Sequence, residues 1–169
     1  MVAKSAAAGT SAELARFVDS LPRKRMAASM LFFNAEDKIL LVEPTYKQHW
    51  ELPGGVVEAD ESPRIAAQRE IAEELGLDRV AGRLLALDWV PPAVNRSEGV
   101  IAVFDGGVLP SMEVARIVVP PEEIRGFEFF GLAAVDSVLP PLLARRVFAA
   151  VQTRRDGTTT YLEDGYLVT

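Results

Sequence analysis

Hydrophobic positions in this chain follow two different periods. In residues 11–21, Leu14, Phe17, Val18 and Leu21 recur at three- and four-residue spacing, which predicts a short amphipathic helix stopped by Pro22. Residues 26–33 and 38–42 are apolar, strand-like runs, and the polar Asn34-Ala35-Glu36-Asp37 between them predicts a turn, so the two runs form a hairpin. Residues 55–57 read as a short strand, 80–89, 99–104 and 126–130 as further strands, and 109–121 as loop. Residues 142–154 return to helical spacing, with Leu143, Val147, Ala150 and Val151 on the buried side. Asp164-Gly165 between residues 158–163 and 166–168 is a hairpin signal.

The best-bounded helix is 62–75. Ser62 can cap its amino end, Pro63 suits the first helical position, and Gly76 follows as a stop. At about 100° per residue, Glu70, Glu73 and Glu74 fall on one arc, with Ile65, Gln68, Ile71, Ala72 and Leu75 roughly opposite. The expectation is one packed face and one anionic face. Three carboxylates so close repel one another, and a divalent cation reverses that penalty. Oxygen donors without cysteine or clustered histidine suit a hard ion, Mg²⁺ or Mn²⁺, better than zinc. A solvated helix face is the competing reading of the three glutamates alone. Gly54 and Gly55 allow close backbone approach, Glu61 lies just ahead of the helix, and Arg69 can pair with Glu73 one turn later.

Length and composition bound the answer. The chain has 169 residues, 49% of them apolar, which fits one α/β domain over residues 1–169 with strands and helices in layers around a mixed sheet. Residues 1–10 are expected to be mobile, 11–21 a peripheral helix and 158–169 a terminal hairpin. Of the net charge of −6, −4 sits in residues 55–77, where Glu58, Asp60, Glu61, Glu70, Glu73 and Glu74 face only Arg64 and Arg69. Arg23-Lys24-Arg25 is too short a basic run to track a phosphate backbone, so polymeric nucleic acid is not an expected partner. With no cysteine, disulfides, thiol catalysis and thiolate metal sites are excluded. No run reaches the length of a membrane span and the first residues lack a secretory apolar region, so a cytoplasmic location without membrane association is the expectation.

The segment Gly55, Glu61, Arg69, Glu70, Ile71, Glu73, Glu74, Gly76, Leu77, preceded by Trp50-Glu51-Leu52-Pro53-Gly54, resembles the Nudix hydrolase family, every fixed position of whose box is filled without insertion. The resemblance implies a Nudix-type α/β/α sandwich with a mixed β-sheet. It implies a metal-dependent hydrolase that cleaves the diphosphate of a small nucleoside diphosphate derivative. On that resemblance Glu70, Glu73 and Glu74 are metal ligands with the Gly55 carbonyl as a further one. Arg69 stabilises the carboxylates, and Glu61 orients Arg69 or binds a further ion. The general base is either a box glutamate or a carboxylate outside it, with Glu123 and Glu122 the outside candidates and Glu98 and Glu113 behind them.

Arg25, Lys47 and Arg96 are candidate phosphate contacts, and Trp50, with Tyr46 and Phe127, a candidate base-stacking residue, though aromatics beside strands are more often core. His49 is the single histidine and is read as a surface residue near the site entrance. The prolines and Asn95 after residue 89 interrupt regular structure in a connection expected to contact substrate. Pro92, fifteen residues beyond Leu77, is reminiscent of Nudix enzymes acting on ADP-ribose, and sugar nucleotides and damaged nucleoside triphosphates stay open. A non-catalytic Nudix domain that binds a nucleotide-like ligand or a protein is the alternative; isoprenoid diphosphate isomerisation is disfavoured by the missing cysteine. A homodimer through residues 11–21 or the terminal hairpin completes the expectations.

Overall fold

A computed structural model describes residues 10–168; of the start expected to be mobile, residues 1–9 lie outside the described residues. The elements run α1 (Ser11–Ser20), β1 (Arg25–Phe33), β2 (Ile39–Pro44), β3 (Gly54–Val56), α2 (Pro63–Leu75), β4 (Leu84–Val90), β5 (Gly99–Val108), α3 (Ser111–Val114), β6 (Ile124–Phe130), α4 (Val135–Val138), α5 (Pro141–Asp156), β7 (Thr160–Glu163) and β8 (Tyr166–Leu167). One mixed sheet has the order β6-β2-β1-β5-β4-β7-β8, and β3 pairs with the first half of β1.

Strand alternation divides the core in two. Ala28, Met30 and Phe32 of β1 point to the face covered by Ala66, Ala67, Ile71 and Leu75 of α2. Leu31 and Phe33 point to the opposite face, covered by Ala144, Val147, Ala150 and Val151 of α5. The result is the expected α/β/α layering.

Both predicted hairpins form. Asn34 Oδ1 accepts from the backbone N–H groups of Glu36 and Lys38 at 3.0 and 2.9 Å, fixing the β1–β2 turn, and β7 pairs with β8 around Asp164-Gly165. Residues 109–121, expected as loop, include the one-turn helix α3, and α4 with the 3₁₀ turn Leu132–Ala134 before it has no counterpart in the expected elements. Such short helices carry too few residues for a period to register. The strand expected from residue 80 begins at Leu84, and the one expected to end at 104 runs to Val108. The apolar side of α1 is left open among the described residues: Leu14, Phe17, Val18 and Leu21 are all exposed. Among the described residues, no helix is long and apolar enough to cross a membrane.

Candidate active site

Helix α2 is bounded as its sequence dictates. Ser62 Oγ accepts from the Ile65 N–H at 3.3 Å, Pro63 is its first residue, and Gly76 ends it in the left-handed region at φ 66°. Its faces differ from the expected split. Ile65 is 52% exposed and Ala72 is exposed, whereas Glu74 is only 8% exposed and lies with Ala67, Ile71 and Leu75 on the packed side. The helix therefore packs by Ala66, Ala67, Ile71 and Leu75, and part of the anionic arc is pressed against the sheet.

What it presses against is β3. Glu74 Oε2 accepts a hydrogen bond from the Gly54 N–H at 2.8 Å. Gly54 sits at φ 139°, and a Cβ there would lie 2.3 Å from the Ala28 carbonyl oxygen, so only glycine fits. A Cβ on Gly55 would lie 2.4 Å from the carboxyl carbon of Glu70, which shows how closely that carboxylate approaches the strand backbone. Burial pushes the Glu74 carboxyl up to about 8, with the negative charges of Glu70, Glu51 and Glu123 adding to the rise and the Gly54 N–H opposing it. Burial also raises Glu70, against the opposing pull of Arg69.

Arg69 organises the remaining carboxylates. Its Nε and Nη2 donate to the two oxygens of Glu61 at 3.0 Å each, Nη1 donates to Glu70 at 2.8 Å and to Glu73 at 3.0 Å, and Nη2 also reaches the Val56 carbonyl at 3.0 Å. Paired with this fork, Glu61 is held below the ordinary glutamate range, and Arg69 is raised above its own, chiefly by Glu61. Glu61 thus spends both of its oxygens on Arg69. Glu73 leans outward to Arg69 with its side chain 57% exposed, and among the described residues no three acidic or histidine side chains converge as a ready metal cage. Glu70, Glu74 and the adjacent Gly55 backbone do offer hard oxygen donors, two of them carboxylates that burial and mutual repulsion make costly to ionise together. That donor chemistry fits a divalent ion such as Mg²⁺.

Gly54, Gly55 and Val56 also form one wall of a cleft of about 540 Å³. Its floor includes Ala27, Ser29 and Ile101, on the face of the sheet away from α2. Arg25, Lys47 and Arg96 all line it. Arg25 donates to the Ser97 carbonyl at 2.7 Å, Lys47 is clamped on both oxygens of Glu51 at 2.7 Å, and Arg96 closes a tight turn with Ala93. The proline-bearing β4–β5 connection reaches the cleft through Arg96. His49 lines it too, with Nε2 3.4 Å from Glu51, and Tyr46 stands exposed at the rim.

Trp50 does not line the cleft: its ring meets Phe130 edge-on at 4.9 Å, packed on the α5 side of the core, and Phe127 packs on the α2 side. Glu122 and Glu123 lie on an exposed loop tied to Thr45, outside the cleft lining, although Glu123 is near enough to raise Glu74. Glu98 instead holds Lys24 and the Trp89 indole, and Glu113 holds Arg79.

Two residues had no assigned role in the sequence reading. Glu51 belongs to the run ahead of the box yet sits in the cleft between Lys47 and His49. Arg146 lines the cleft from α5 while only 7% exposed. Its signal was legible, since helical spacing puts it beside Leu143, Val147 and Ala150, and a charge on an apolar stripe needs a partner.

The sandwich, the glycine wall and the arginine-organised glutamates define a Nudix protein, and the family profile of the NUDIX domain matches residues 23–151 of the 169: the chain belongs to that family. It is 42% identical over 66 residues to diphosphoinositol polyphosphate phosphohydrolase 2 of Rattus norvegicus, a stretch that covers 38% of this chain and 37% of that relative. In fold it is similar to a UDP-X diphosphatase, at a TM-score of 0.68 and 23% identity over 90% of this chain and 74% of the other. It is also similar to an ADP-ribose pyrophosphatase of Streptococcus suis 89-1591, at a TM-score of 0.60 and 24% identity over 83% of this chain and 99% of the other.

Proposed function

We propose that the protein is a divalent-metal-dependent hydrolase that cleaves the diphosphate linkage of a nucleoside diphosphate joined to a second group, with ADP-ribose and sugar nucleotides as the first substrates to try. The observation that carries this reading is the shared Gly54–Gly55 wall, with the half-buried Glu70 and buried Glu74 carboxylates on one side and a cleft bearing Arg25, Lys47 and Arg96 on the other.

Glu70, Glu74 and the Gly55 carbonyl would hold Mg²⁺, or Mn²⁺ in its place, with Glu73 as the third carboxylate. When bound, the ion neutralises charge on the non-bridging phosphate oxygens. Arg25 and Arg96 bind the diphosphate oxygens and hold the reacting phosphorus beside the glycine wall, where position matters more than covalent chemistry. Arg69 keeps Glu61, Glu70 and Glu73 from relaxing away from one another. Proton removal from the attacking water falls to a box glutamate or to Glu123.

The test is a Mg²⁺-supplemented panel of ADP-ribose, nucleoside diphosphate sugars, dinucleoside polyphosphates, oxidised nucleoside triphosphates and diphosphoinositol polyphosphates, read by phosphatase-coupled phosphate release. Turnover abolished by EDTA supports the reading. No product from any member favours a domain that binds without hydrolysing, a reading consistent with the outward lean of Glu73. A homodimer is proposed as well, supported by the apolar face that α1 leaves exposed.

A further inference from the structure

At the end of the cleft remote from the box, an arginine only 7% exposed bonds through just one of its five N–H donors. Arg146 Nε donates to Asp88 Oδ2 at 2.7 Å, and Asp88, fully buried, takes a second bond from the Gly165 N–H at 3.0 Å on Oδ1. The two Nη groups of Arg146 have no acceptor among the described residues, and the side chain lines the cleft. Asp88, Ile101, Ala27 and Val56 stand in register across β4, β5, β1 and β3, so the guanidinium lies over a row that continues into the cleft floor. Around it the lining is apolar: Val90, Ile101, Leu142 and Leu143.

The ion pair decides what such a pocket accepts. Arg146 and Asp88 already neutralise each other, so a full anion brought here would be left uncompensated in an apolar surround. A flat, neutral ring with hydrogen-bond acceptors on its edge meets no such penalty, and its faces match the apolar walls. An arginine fork offers donors only. It complements a carbonyl with a neighbouring acceptor and opposes the amino group of adenine.

We propose that Arg146 determines base specificity, selecting a nucleoside diphosphate whose base carries carbonyl acceptors, guanine or uracil, over one carrying adenine. The assignment rests on the nucleoside diphosphate reading of the cleft. It divides the cleft into a base end at Arg146 and a phosphate end at Arg25 and Arg96.

Glucose linked to GDP, UDP or ADP varies the base alone. The full chain is expected to turn over GDP-glucose or UDP-glucose with kcat/KM about tenfold or more above ADP-glucose. Arg146→Lys, which keeps the charge beside Asp88 but loses the fork, should bring the three to within about threefold. Arg146→Gln combined with Asp88→Asn, which leaves no charge stranded, should shift preference toward adenine, because an amide offers both a donor and an acceptor. In parallel, calorimetry in EDTA should show GMP or UMP binding more tightly than AMP.

ADP-glucose equal to or better than both others, or an Arg146→Lys protein of unchanged melting temperature that keeps the original base ratio, overturns the proposal. Should neither the sugar nucleotides nor any other member of the panel be cleaved, the hydrolase reading fails while the EDTA binding comparison still decides the Arg146 assignment. AMP binding as tightly as GMP and UMP, or no binding of any of the three, overturns it there.

Discussion

Glu74 and Gly54 are joined across two layers of the fold: a carboxylate on α2 accepts the N–H of a strand residue twenty positions earlier, at 2.8 Å. The bond fixes the box helix against the cleft wall and holds one carboxylate oxygen while leaving the other available. Glu74→Gln retains an acceptor of the same shape for Gly54 but loses the charge. Turnover is expected to fall about a hundredfold or more, and the melting temperature in EDTA at pH 8 should hold or rise, because the substituted amide resembles the protonated acid that burial favours. Steady-state kinetics and thermal melts on the same preparation check both halves.

The pH dependence of metal-free stability has a definite sign. Glu74 titrates at about 8 in the folded chain against an ordinary value of 4.5, so across that window the native state keeps a proton that the unfolded chain has lost. Stability contributed by the protonated form is fully present below the lower value and is lost as pH rises through the upper one. Glu70, raised chiefly by burial, acts in the same direction, while the lowered Glu61 acts in the opposite direction below the window. In EDTA the melting temperature should fall between pH 5 and pH 8, and added Mg²⁺ should raise it more at pH 8 than at pH 5, where protons compete with the ion. A flat profile in EDTA would count against the burial of Glu74.

The two wall glycines should fail in different ways. At Gly54 an added methyl meets the backbone of Ala28 and Ser29 and the residue is held at φ 139°, so Gly54→Ala has nowhere to relax and should unfold or melt far lower. At Gly55 the obstacle is the end of the Glu70 side chain, which can swing aside. Gly55→Ala should cost about 1 kcal/mol or less in stability and still abolish most activity, since relief comes only by moving that carboxylate. Chemical denaturation beside activity separates the two outcomes.

How much of this was readable in advance depended on whether a signal was local. The start of α2 at Ser62-Pro63, its stop at Gly76, and the turns at residues 34–37 and 164–165 are set by residues adjacent in sequence, and each formed where expected. The inward turn of Glu74 was not readable, because it follows from β3 lying against α2, a contact between segments with no shared period. The packing of Trp50 was not readable for a similar reason: its partner Phe130 is eighty residues away. The three basic candidates Arg25, Lys47 and Arg96 did come together at one cleft; the apolar stripe of α5 marked Arg146 as a charge in need of a partner, but nothing local disclosed that it would line the same cleft.

Arg69 is expected to resist conservative replacement. A lysine keeps the charge but offers a single point in place of the fork that now serves Glu61, Glu70, Glu73 and the Val56 carbonyl together. Arg69→Lys should therefore lower kcat by about tenfold or more with a smaller change in KM, since the residue orders carboxylates and does not line the cleft. Arg96→Ala should do the reverse, raising KM with kcat nearly preserved, because it removes a cleft cation for which no ion pair is recorded among the described residues. Full kinetic curves for both variants on one substrate decide the matter: a kcat loss confined to Arg96→Ala, or a KM rise confined to Arg69→Lys, would exchange the roles assigned to them.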